Sequence, residues 1–216
     1  MPDRIPEDVP SAGPENEESH TYTRGGDFGQ TDVPAIGRVT KDSPRPAACG
    51  TVDELNCMLG ELRARIAVSS IIDSEKRFFD ERLQATQGDL FTIGALVSGA
   101  ISAGERWKEH LDSAVELYES EINATEAELP SLRNFIVPGE DLTSSAAHLA
   151  RAVCRRAERC CLAALQDDPS LELVIPFLNR LSDWLYIMAR RLARLSGHAD
   201  RLWDLGKSSA ARGANE

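Results

Sequence analysis

The chain has 216 residues, 42% of them hydrophobic and 27% charged, with a formal net charge of -11, a pI near 4.9 and a mean hydropathy of -0.31. A chain of this size can bury a sizeable core as one domain without metals or disulfides, and its composition excludes a wholly disordered protein. It has no apolar run near the ~20 residues that span a bilayer, and it lacks the basic excess of a general nucleic-acid binder.

Residues 1–20 hold four prolines and six acids against the single Arg4. They have almost nothing apolar to bury, so a disordered acidic tail is expected. The tail has neither the apolar segment of a signal peptide nor the basic, acid-poor character of a transit peptide. Mitochondrial and cytoplasmic homes both stay open. Residues 21–49 carry Gly25, Gly26, Gly29, Gly37, Pro34, Pro44 and Pro46, and that density of breakers predicts an irregular loop. Loops this long are usually functional.

From residue 50 the pattern turns helical. Thr51 to Glu54 reads as a capping box that opens a first helix, with Leu55, Leu59, Leu62 and Ile66 on one face. A second helix is predicted from Asp73-Ser74 to Val97, striped by Phe79, Leu83, Leu90, Ile93 and Val97. A third runs from Trp107 to Ala127, followed by a loop from Pro130 to Asp141 with a Pro138-Gly139 turn. A fourth runs from Thr143 to Leu165. In the fifth, Val174, Leu178, Leu181, Leu185, Met188, Leu192 and Leu195 follow the alternating spacing of a bundle seam. Pro176 must lie in its first turn or kink it. The expected fold is all-α, a five-helix up-and-down bundle over residues 21–205 preceded by a Gly-rich loop. Residues 206–216 read as a flexible tail.

The five cysteines, Cys49, Cys57, Cys154, Cys160 and Cys161, form no CxxC pair and suit a reduced, intracellular chain. They show no zinc spacing with the four histidines. No nucleophile–base motif is present.

Two stretches suit anion chemistry. On the fourth helix, Arg151, Arg155 and Arg159 share a face, with Arg156 beside them. They form either a solvated basic face or a phosphate site, since guanidinium forks match phosphate oxygens. In the early loop, Thr23, Arg24, Gly25, Gly26, Gly29 and Thr31 bring backbone donors, hydroxyls and a cation together. They form either turns or a phosphate cradle. Asp27 either caps a turn or holds a metal ion bound to phosphate. Glu54 is expected to serve only as the box partner of Thr51. Asp53 is free to meet an arginine of another helix, and Asn179 and Asp183 share a polar face one turn apart.

The ordered segments YTRGGDFGQT, RVTKDSPRPAACGTVDELN, FIVPGE, HLARAVCRRAER and FLNRLSDWLYIMAR resemble those of the PduO-type ATP:cob(I)alamin adenosyltransferases, over roughly residues 21–195. The resemblance implies a five-helix bundle assembled as a homotrimer with active sites between subunits. It implies transfer of the 5′-deoxyadenosyl group of ATP to the cobalt of cob(I)alamin, releasing triphosphate. The absence of a catalytic triad then makes sense, because the reduced cobalt is the nucleophile and the protein supplies binding and orientation.

Carried over residue by residue, the family's ATP loop falls on Thr23, Arg24, Gly25, Gly26, Asp27, Gly29 and Thr31, and Lys41 matches its phosphate-binding lysine. Arg151 and Arg155 match its ATP-site arginines, and Asn179 its nucleotide-contacting asparagine. Asp53 matches the aspartate that pairs with the first arginine across the interface. Phe135 matches the aromatic that fills the lower axial face of the corrin, and Asp183 is a further cobalamin-site candidate. Mg2+ is expected mainly through the ATP phosphates. An adenosylcobalamin-dependent mutase or another acceptor is a conceivable partner.

The chain departs from the family pattern at Phe28, where a base is usual, and at Asp32, an acid near the proposed triphosphate. It also departs at Glu140, in place of a second turn glycine, and at Cys49, in place of an aromatic or aliphatic residue. Phe28, Asp32 and Glu140 carry the alternative of a non-catalytic relative that binds cobalamin or ATP for delivery or sensing.

Overall fold

The computed structural model describes residues 22, 24–166 and 168–204. The expected tails and Thr23 lie outside the described residues. Five helices form the body: α1 Pro44–Ala67, α2 Asp73–Ser98, α3 Glu105–Glu128, α4 Leu142–Ala164 and α5 Val174–Leu195. A short 3-10 helix, Pro169–Leu173, leads into α5. The four later helices begin and end within two residues of their predicted limits, because each carries an unbroken apolar stripe. Pro176 sits in the first turn of α5, where its missing N–H has no partner to lose.

The region before residue 50 differs from the expected loop. Gln30–Val33 (β1) and Gly37–Thr40 (β2) pair as an antiparallel hairpin, with Gln30 opposite Thr40 and Val33 opposite Gly37. Helix α1 starts at Pro44, seven residues before the predicted capping box. Pro44 and Pro46 both fall in its first turn, where prolines are tolerated and already hold a helical φ. Thr51 is therefore inside the helix, and its hydroxyl donates back to the Ala47 carbonyl at 2.7 Å. The box does not form, and Glu54 is left to pair elsewhere.

Cross-helix bonds give the directions. Asn56 meets Gln87, Arg63 meets Asp80 and Arg45 meets Val97, so α1 and α2 are antiparallel. Arg82 meets Glu121, Thr86 meets Tyr118 and Asp89 meets His110, so α2 and α3 are antiparallel too. Between α3 and α5, Glu119 meets Arg180 and Glu121 meets Trp184, a parallel pair. Helix α4 fills the remaining gap between α1 and α5. Its inward face is built of Ala146, Ala147, Ala150, Cys154, Ala157, Cys161 and Ala164, small residues that let both neighbours approach closely. Each predicted stripe faces one shared core whose largest members are Trp184, Tyr118, Phe79 and Phe177.

The hairpin is fastened to one end of this bundle. Val33 is buried, and the Ala35 amide donates to the Ser98 carbonyl at the end of α2. Gly99 permits that contact twice over: its φ is +76°, and a Cβ there would stand 2.3 Å from the Cβ of Ala35.

Candidate active site

The Gly-rich loop is a compact turn closed by two cations. Arg24 takes a left-handed φ of 57°, and the amides of Asp27 and Gly29 donate to the carbonyls of Arg24 and Gly26. The Lys41 amide donates to the Gly29 carbonyl at 2.9 Å, which ties the end of the hairpin to the turn. Arg38 donates to the Gly25 carbonyl and to Asp32 at 2.8 Å. The unusual acid Asp32 is thus countered within the hairpin, and Thr31 lies on β1 beside it. The other departure, Phe28, is 95% exposed at the tip. Arg38 opens the segment RVTKDSPRPAACGTVDELN, but only the register across the hairpin sets it opposite Asp32.

On α4, Arg151 is half-buried, and its Nε is buried without a hydrogen-bond partner among the described residues. Arg155 is exposed and makes no ion pair among them. Arg156 pairs with Glu54 of α1, while Arg159 donates to the Arg155 carbonyl. The predicted stripe therefore divides by role: Arg156 is held within the chain, and Arg155 projects outward. Asp53 is exposed on α1 and makes no ion pair with Arg151 among the described residues. Asn179 donates to Glu158 at 3.1 Å.

Arg151 and Arg155 line a depression of about 280 Å3 together with Arg180, Asp183, Tyr186 and Glu126. Arg180 there bridges Asp183 at 2.7 Å and Glu119 at 3.0 Å. The fold thus brings together the predicted arginines of α4 and the predicted Asp183 of α5. One turn from Arg151, His148 is buried against the Tyr186 ring, and its Nδ1 has no partner among the described residues. Burial, reinforced by the Arg151 charge, holds its pKa down at about 4, so the ring is neutral at pH 7.

Phe135 is 79% exposed. It lines an open hollow of about 430 Å3 with Leu132, Arg133, Asn134, Trp203 and Asp204. The segment after α5 is laid along this loop: the Trp203 amide donates to the Phe135 carbonyl at 2.7 Å, and the Val137 amide to the Arg201 carbonyl at 2.8 Å. Sequence reasoning left Trp203 aside because nothing local links it to residue 135.

The helix directions separate these parts. The Gly-rich loop adjoins the start of α1, whereas Phe135 lies between the end of α3 and the start of α4, which is the opposite end of the bundle. One 24-residue helix, ~36 Å at 1.5 Å per residue, stands between those ends. A single chain does not bring Lys41 and Phe135 together. No group of three or more His, Cys, Asp or Glu able to hold a metal ion occurs among the described residues.

Comparison with known proteins agrees with this architecture. The family model described as cobalamin adenosyltransferase matches residues 21–192. The corrinoid adenosyltransferase of Bacillus subtilis is 36% identical over 181 residues, covering 83% of this chain and 89% of the relative. The corrinoid adenosyltransferase MMAB of Bos taurus is 36% identical over 186 residues, covering 84% and 75%. Among solved structures, a variant PduO-type ATP:corrinoid adenosyltransferase from Lactobacillus reuteri, complexed with cobalamin and ATP, superposes with a TM-score of 0.72 at 28% identity, covering 86% of this chain and 97% of that one. Another variant of that enzyme, complexed with ATP, gives 0.70 at 29% identity, covering 85% and 99%. With the five-helix bundle, the arginine face of α4 and a match across most of its length, the chain belongs to the cobalamin adenosyltransferase family.

Proposed function

We propose that this chain transfers the 5′-deoxyadenosyl group of ATP to cob(I)alamin. The cobalt electron pair attacks C5′ of ATP, the cobalt–carbon bond forms, and the C5′–oxygen bond breaks with its electrons leaving on triphosphate. The observation that carries the reading is the outward-facing Arg155 beside half-buried Arg151 on a chain of this family. The leaving triphosphate bears several negative charges, and guanidinium donors aimed at developing charge are an effective way to stabilise it.

Each residue has a task in this reading. Arg24 and Lys41, set around the turn of Gly25, Gly26, Asp27 and Gly29, hold phosphate, and Thr23 and Thr31 add hydroxyls. Arg155 and Asn179 orient the nucleotide. Phe135 excludes a ligand from the lower face of the corrin, which makes the cobalt easier to reduce, and Asp183 lies on the cobalamin side. Mg2+ would bind chiefly through phosphate oxygens, because the loop offers it only one carboxylate, Asp27; it would neutralise phosphate charge.

The active form in this reading is a homotrimer with sites between subunits. Two observations support it: the Gly-rich loop and Phe135 lie a helix length apart in one chain, and exposed Asp53 and the unpartnered Nε of Arg151 are free to pair between chains.

The test is an anaerobic assay with ATP, Mg2+ and chemically reduced cob(I)alamin, followed by corrin absorbance. Adenosylcobalamin formed over multiple turnovers is expected. A cobalamin spectral shift without turnover would instead favour delivery or sensing.

A further inference from the structure

Among the described residues, the two segments that frame Phe135 have apolar anchors only where they leave the bundle, at partly buried Leu129 and Leu195. No residue from 129 to 142 is buried, and none from 194 to 204. Between them and the bundle lies a half-open pocket of about 250 Å3, bordered by Leu129, Leu132, Leu202 and His198. Beyond Leu129 and Leu195, apolar packing contributes little to the position of this loop, since side chains that border open space lack contact atoms on that side.

One side chain spans the gap. Arg190 of α5 is 4% exposed. Its Nε donates to Asp200 at 2.9 Å and its Nη2 to the Pro130 carbonyl at 2.6 Å. Asp200 belongs to the segment that carries Trp203, and Pro130 begins the loop that carries Phe135. The two segments then zip together through the Val137 and Trp203 amides. A planar guanidinium can serve two acceptors at a fixed angle, whereas an ammonium cannot hold both with the same geometry.

We propose that Arg190 is a positioning residue for Phe135: by gripping Pro130 and Asp200 together, it locks the 198–204 segment against the 130–141 loop and sets the aromatic surface formed by Phe135 and Trp203. The proposal rests on the adenosyltransferase reading for its effect on cobalamin, but the clamp itself is testable without ligand.

The experiment compares the full chain with Arg190→Gln, Arg190→Lys and Asp200→Ala. Amide hydrogen exchange is measured on the free protein, and transfer is assayed with cob(II)alamin plus reductant and with prereduced cob(I)alamin. Asp200 lies outside the core, so Asp200→Ala tests the clamp even if Arg190→Gln fails to fold. The Val137 and Trp203 amides should exchange at least tenfold faster in Arg190→Gln and Asp200→Ala, while those of Leu185 and Met188 keep their protection. The KM for cobalamin should rise at least fivefold and that for ATP less than twofold, with the larger kcat loss on cob(II)alamin. Arg190→Lys should recover part of each effect. Unchanged exchange at both amides, or equal losses for ATP and cobalamin, would overturn the proposal. A wild-type chain without transfer would overturn the adenosyltransferase reading instead, and the exchange rates would still decide the clamp.

Discussion

Lys41 lies across Gly26 so closely that its Nζ would stand 2.9 Å from a Cβ built on that glycine. The absence of a side chain at residue 26 is what lets the ammonium rest against the turn. The long lysine can swing away, so Gly26→Ala should leave folding almost unchanged while moving the charge off the turn. The KM for ATP should rise severalfold, equivalent to about 1 kcal/mol. Steady-state kinetics beside thermal unfolding checks both halves.

Arg155 and Arg156 are adjacent yet should behave oppositely. Arg155 is exposed and has no ion-pair partner among the described residues, so Arg155→Ala should fold normally and lose transfer by about 100-fold or more. Arg156→Ala loses only its surface pair with Glu54, for about 0.2–1 kcal/mol of stability, and should keep activity. Measuring activity and unfolding on both variants separates the roles. An active Arg155→Ala would remove that residue from the site.

Phe135 contributes little to the core at 79% exposure, so Phe135→Ala should retain its unfolding midpoint. Activity should fall most with cob(II)alamin and an external reductant, and least with prereduced cob(I)alamin. Equal losses on both substrates would exclude the axial role.

His148 makes stability depend on pH. Its folded pKa of about 4 lies below the ordinary histidine value of 6.5, through burial and the nearby Arg151, with Asp200 and Asp141 opposing. The unfolded chain therefore binds up to one more proton than the folded chain between those values. The contribution of His148 is fully present above pH 6.5 and is lost as pH falls through 4. His148→Gln should flatten the decline in unfolding free energy from pH 7 to 4.5 and leave the slope above pH 7 unchanged. Denaturant unfolding across that range reads the difference directly.

The local pattern determined four of the five helices and their buried faces. Stripes such as Val174–Leu178–Leu181–Leu185 on α5, all buried, repeat every three or four residues, and that period is written in neighbouring positions. The arginine pair of α4 was legible for the same reason. The start of α1 was not, because Pro44 and Pro46 break helices everywhere except in a first turn, and only the finished helix makes them its first turn. Tertiary structure alone decided that Glu54 takes Arg156, that Arg38 answers Asp32, that Arg190 grips Pro130 and Asp200, and that the Gly-rich loop and Phe135 lie at opposite ends of one chain. The Arg38–Asp32 pair depends on hairpin register and the others on helix direction, neighbour order and the path of the segment after α5, none of which a short-range period encodes.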